Sequence, residues 1–169
     1  MQFSKLAIFT LIAGVLGQQD LLTVQDYADF QISDGVAGNA LAEVAAKFPV
    51  EEFRANLAGV SENDLAILKA ARQTAENAET DAGGFNEAIE AAGGKNTEEG
   101  ARLQIGKIKN KVLKLELFSL VLEIEQAQGA DNQDDLDDKQ KKLANNVQLD
   151  EDAAGEESQS VDFQGDSAP

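Results

Sequence analysis

Behind its first twenty residues the chain is a succession of apolar stripes at helical spacing, separated by polar or glycine breaks, with no sustained strand alternation. Thr23 is expected to cap a first helix over about 24–32, presenting Val24, Tyr27 and Ala28 on one side, and Ser33-Asp34-Gly35 breaks it. Asp34 is then placed to cap a second helix whose stripe is Ala37, Leu41, Val44, Ala45 and Phe48. Pro49 stops that helix and suits the first turn of the next, in which Val50, Phe53 and Leu57 face inward. Ser61, with Asp64 three residues on, predicts the start of a longer helix lined by Leu65, Leu68, Ala71, Ala75 and Ala78. Gly83-Gly84 and Gly93-Gly94 bracket a short helical connector carrying Phe85, Ala88, Ile89 and Ala92.

Thr97 caps the longest predicted helix, about 98–128, with Gly129 just past its end. From Val112 to Ile124 only Lys114, Glu116, Ser119 and Glu123 are not apolar. A helix apolar most of the way round is enclosed by others, which makes this one the hub of a bundle. A last helix over about 134–147 has aspartates at its start and Lys139, Lys141 and Lys142 later, in keeping with the helix dipole. The expectation is an all-α, single-domain helical bundle around a long buried helix in the C-terminal half.

The two ends read differently. MQFSKLAIFTLIAGVLG combines Lys5, an apolar run from Leu6 to Leu16, and a small Val15/Gly17 pair, the marks of an export signal over 1–17. Its apolar run is shorter than the ~20 residues that span a bilayer. The mature chain is expected to start near Gln18, with a helical domain over 18–149 and no membrane span. From Asp150 to Pro169 there are seven acids, no bases and little apolar content. That composition predicts a disordered acidic tail.

Composition narrows the chemistry. The chain has neither cysteine nor histidine, so disulfides, cysteine or Ser–His nucleophiles, and the usual zinc, copper and haem sites are excluded. No Trp and a single Tyr argue against the aromatic platforms of a sugar-cleaving site. A net charge of −17 opposes nucleic acid and anionic membranes as partners. No Asn-X-Ser/Thr sequon is present. The acidic run Asp131–Asp138 suggests calcium, but Leu136 stands where an EF-hand loop needs glycine, and Lys142 where it needs glutamate. Those acids read as helix N-terminal charges. Gly35-Val-Ala-Gly38 opens a helix without the Lys-Ser/Thr of a phosphate loop and reads as a corner. No catalytic residue, cofactor or metal is expected.

Two groups of residues stand out as candidate contact sites. Lys107, Lys111 and Lys114 share one face of the long helix, in a stretch without acids. They read as a solvated stripe, or as an electrostatic contact on which the acidic tail or last helix folds back. Leu113, Leu117, Leu120 and Ile124 form a stripe that is either plain core or the lining of a cavity for a small apolar ligand.

The segments DYADFQISDGVAGNALAEVAAKFP (26–49), DLAILKAARQTAENAE (64–79), GKIKNKVLKLE (106–116) and KQKKLANNV (139–147) resemble a group of small secreted proteins of filamentous fungi. The resemblance implies an extracellular fungal protein with no assigned activity, of a kind considered among candidate effectors. Three readings follow: a secreted, non-enzymatic interaction protein, such as an effector or virulence factor; an extracellular carrier of a lipid-like ligand; or a cell-wall component held non-covalently. The partner is a protein of unknown identity in the first and a small apolar ligand in the second.

Overall fold

The computed structural model describes residues 20–169; the leader expected over 1–17 and the start near Gln18 lie outside the described residues. The helices are α1 (Tyr27–Phe30), α2 (Ala40–Lys47), α3 (Val50–Ala55), α4 (Glu62–Thr80), α5 (Phe85–Ala91), α6 (Glu98–Ala127) and α7 (Gln133–Asp152). A 3₁₀ turn at Leu57–Gly59 joins α3 to α4. Two short strands, β1 (Gly35–Val36) and β2 (Glu157–Ser158), pair antiparallel with Gly35 opposite Ser158 and Val36 opposite Glu157. Among the described residues the fold is all-α apart from this short ladder and an isolated bridge between Asp26 and Asp166.

Local chemistry explains most of the boundaries. Ser61 Oγ accepts the Asp64 amide at 3.0 Å to open α4, and Thr97 Oγ1 accepts the Gly100 amide at 3.0 Å to open α6. Pro49 ends α2 and precedes α3 as its spacing predicts. The first helix starts later than expected, because the backbone at 25–27 has other partners: Gln25 donates to Ser167 Oγ (2.9 Å) and accepts the Ser167 amide (2.9 Å), and Tyr27 donates to Gly165 O. Before it, the buried Asp64 carboxylate accepts the amides of Leu21 (3.0 Å) and Leu22 (2.9 Å). Asp34 does not cap α2. Its Oδ1 accepts the Ser160 amide at 2.9 Å, and the first amide of α2, from Ala40, donates instead to Asp150 Oδ2 on α7, also at 2.9 Å.

Helix α6 is the hub. It packs against α2, α4, α5, α7, β2 and the 3₁₀ turn, and buried residues occur on every side of it. Tyr27, Phe30, Val44, Phe48, Phe53, Leu68, Ala71, Ala75 and Ala78 close the core around its Val112–Ile124 segment. Tyr27 meets Phe30 edge-on at 5.5 Å, and Phe30 meets Phe48 at 5.8 Å.

The C-terminal segment corrects the expectation of a disordered tail beginning at residue 150. Helix α7 continues to Asp152, with Asp150 buried, and residues 156–167 run back across the N-terminal arm as a strap. After β2, Gln159 donates its amide to Arg102 O (3.1 Å) and Ser160 donates to Asp34. Gly165 O then accepts the Tyr27 amide (2.7 Å), Ser167 exchanges bonds with Gln25, and Phe163 meets Tyr27 edge-on at 5.8 Å. Backbone pairing and one aromatic ring fix a segment whose side chains offer little apolar surface. Gly106 permits it: a Cβ there would run into Gln159 O, so the strap lies directly on the backbone of α6. Gly38, at φ +110°, likewise lets Ala154 approach the entry to α2.

Candidate functional site

The lysine stripe is paired within the fold and not with the strap. Lys107, Lys111 and Lys114 converge on one carboxylate of α4, Glu79, at 3.7, 3.6 and 2.6 Å, and Lys107 also donates to Asn86 Oδ1 at 2.6 Å. Burial works against the charged form of Glu79. The Lys114 hydrogen bond and the charges of Lys114, Lys111 and Lys107 outweigh it and hold the carboxyl below the usual glutamate range. The stripe therefore makes an internal contact, locking α6 to α4.

Leu113, Leu117, Leu120 and Ile124 are all fully buried within the continuous core. Their neighbours are the small residues of α4 and the aromatic cluster, and a ligand among them would have to displace that packing.

Other charged residues were not anticipated as buried. Lys109 is completely enclosed, and its Nζ donates to Asp34 O (2.7 Å) and Val36 O (3.1 Å) while pairing with Glu43 at 2.9 Å. Arg54 joins Glu116 (2.9 Å) and Glu123 (3.0 Å) on α6. The Tyr27 hydroxyl donates to Asn110 Oδ1 (2.8 Å), Asn110 Nδ2 donates to Ala75 O (2.7 Å), and burial raises the Tyr27 pKa. A lysine or asparagine flanked by apolar positions in a hub helix is the available sequence signal for such ties. Its partners, far away in the chain, are not readable.

A cleft of about 390 Å³ lies where α5, the start of α6 and the strap meet. The Gly83-Gly84 turn and the buried ring of Phe85 set the direction of α5, so that Ala88, Ala91 and Ala92 line one wall. Leu103 of α6 and Val161 of the strap complete the apolar surface. Thr97 Oγ1 donates to Ala92 O at 2.9 Å and ties the end of α5 to the start of α6. Two carboxylates, Glu99 and Asp162, belong to the lining, and no basic side chain does. Smaller clefts lie beside Asp34, Glu43 and Lys47 and beside Ala40, Val147 and Asp150.

Among the described residues no group of three or more acids is arranged to hold a metal, and no helix is long and apolar enough to cross a membrane. Asp131–Asp135, the end of the α6–α7 turn and the start of α7, line a polar hollow of their own, with Asn132 tied to Leu122 O at 3.0 Å.

Residues 22–162 match the model of a family described as a domain of unknown function (DUF8454), and the chain belongs to that family. The matched region reaches through α7 into the strap and includes both carboxylates of the cleft. No curated protein and no solved structure matches the chain.

Proposed function

We propose that the chain is an exported, non-enzymatic interaction protein that acts outside a fungal cell, as an effector or virulence factor, by offering an acidic surface to a basic partner. The observation that carries this reading is the distribution of charge. The bases of the hub and of α3 are committed to acids within the fold: Arg54 to Glu116 and Glu123, Lys109 to Glu43, and Lys107, Lys111 and Lys114 to Glu79. With a net charge of −17, the acids left over dominate the exterior. A field of one sign steers an oppositely charged partner to it and rejects nucleic acid and anionic membranes. The leader-like N-terminus and the resemblance to secreted fungal proteins supply the place of action.

Deleting the gene tests the reading. Growth on simple media should be unchanged, while colonisation of a host, or the host's response, should alter. A strain that grows poorly in pure culture yet behaves normally on a host would overturn it.

A further inference from the structure

We propose that the cleft between α5, α6 and the strap receives a lysine side chain of a basic protein partner. The walls and the charge match the two parts of that side chain. Ala88, Ala91, Leu103 and Val161 offer a narrow apolar surface suited to a four-carbon stem, and Glu99 and Asp162 offer charge to its ammonium. Glu99 sits in the first turn of α6.

Neither acid is neutralised from within. Glu99 has no partner among the described residues, and Asp162 only accepts a bond from Gln164, at 3.1 Å. Arg102 and Lys107 of the same helix are engaged elsewhere, Arg102 with Glu98 (2.9 Å) and Glu157 (3.8 Å) and Lys107 with Asn86 and Glu79, and Lys95, in the turn before α6, makes no ion pair among the described residues. A half-apolar cleft of about 390 Å³ with uncompensated carboxylates calls for a cation carried on an aliphatic stem.

The strap argues for a peptide over a free amine. It forms one wall of the cleft outside any helix or strand, and the amides of Val161 and Asp162 have no acceptor among the described residues. Unpaired amides beside a cleft can bond to the main chain of a partner while a side chain enters it.

This inference takes from the interaction reading only the basic character of the partner, and its test is independent of any host. The protein, isotopically labelled, is titrated with a short Gly-Lys-Gly peptide blocked at both ends, with the same peptide carrying norleucine, and with 1,5-diaminopentane. The lysine peptide should shift the amide signals of Ala88, Ala91, Leu103, Val161 and Asp162 in a saturable way. Norleucine should bind at least about tenfold more weakly. The double variant Glu99→Gln/Asp162→Asn, checked for an otherwise unchanged spectrum, should lose the lysine response by a similar factor. The proposal fails if the shifts are absent, if they spread over distant acids such as Asp134 and Asp135, or if norleucine binds equally well. Tighter binding of the diamine than of the peptide would replace the protein partner with a free polyamine. A silent cleft beside a host phenotype on gene deletion would remove this site and leave the interaction reading standing.

Discussion

Lys109 shows how much structure one buried charge can organise. Its ammonium holds two carbonyls of the β1 loop and the Glu43 carboxylate, and so fixes that loop on α6. Lys109→Met keeps most of the stem and leaves those three acceptors without their donor. The expected loss is about 2–3 kcal/mol, below the 3–5 of a fully enclosed pair because Glu43 is a third exposed; urea unfolding measures it. Glu79 makes a prediction in pH. Its folded-state pKa is depressed, so its contribution is complete above the ordinary glutamate range, near 4.3, and is lost as pH falls through the lower folded value. The stability gap between the parent and Glu79→Gln should therefore be constant above about pH 5 and begin to narrow as pH falls below the ordinary glutamate range. A gap that is flat across that fall, or that widens, would mean that the charge of Glu79 is not what the lysines stabilise. At this scale the sequence was readable where chemistry is local, as in the caps at Ser61 and Thr97. It was not readable where an acid serves a distant helix, as Asp150 does for α2, because no spacing rule connects residues 40 and 150.

Among the elements, the helices with strong periodicity emerge where their patterns place them. The strap and the short α1 do not. Both are held by backbone bonds to partners far along the chain, which composition cannot report, and an acidic segment poor in apolar residues reads as solvated. One clue was present: Gly106, a helix-weakening residue in the middle of the hub, marks a point where another backbone must come close. The strap is therefore part of the domain and should register in its stability. Truncation after Gly155 removes the Phe163–Tyr27 contact and the bonds to Gln25, Tyr27 and Arg102. We expect a loss of about 2–4 kcal/mol, or roughly 4–16 °C in melting temperature. Gly106→Ala separates the strap from helix propensity. In the full chain its methyl unseats Gln159 and the variant should melt lower. In the truncated chain that clash with the strap is gone and only the close approach to Ser33 O (3.1 Å) is left, so the helix-propensity gain of about 1 kcal/mol offsets it and the substitution should cost far less than in the full chain. Calorimetry on the four proteins reads both effects, and an alanine that lowers both backgrounds equally would place the clash elsewhere.

The whole molecule is acidic on the outside and internally neutralised along α6. Its enclosed ion pairs are poorly screened by salt, whereas repulsion among the remaining surface acids is screened well. Raising sodium chloride from about 10 to 150 mM should therefore raise the melting temperature, since the Debye length falls to ~8 Å. A fall would show that the surface pairs outweigh the repulsion. The all-α architecture and its central helix were legible because they follow from hydrophobic periodicity summed over many residues. The cleft was not, since its third wall belongs to the strap.

The bond from the Tyr27 amide to Gly165 joins positions far apart in sequence, and it bears on the order in which parts of the molecule open. Contacts between α6 and its neighbours α5 and α7 close short stretches of chain, whereas those of the strap close nearly the entire domain and carry the greatest loop entropy. The strap should be the last part to assemble and the first to release. In deuterium exchange, the amides of Tyr27, Gln159 and Ser160 should exchange together and faster than those of Leu117 and Leu120, as a separate cooperative unit. Such a unit would let the cleft lose a wall and regain it many times within one lifetime of the folded core.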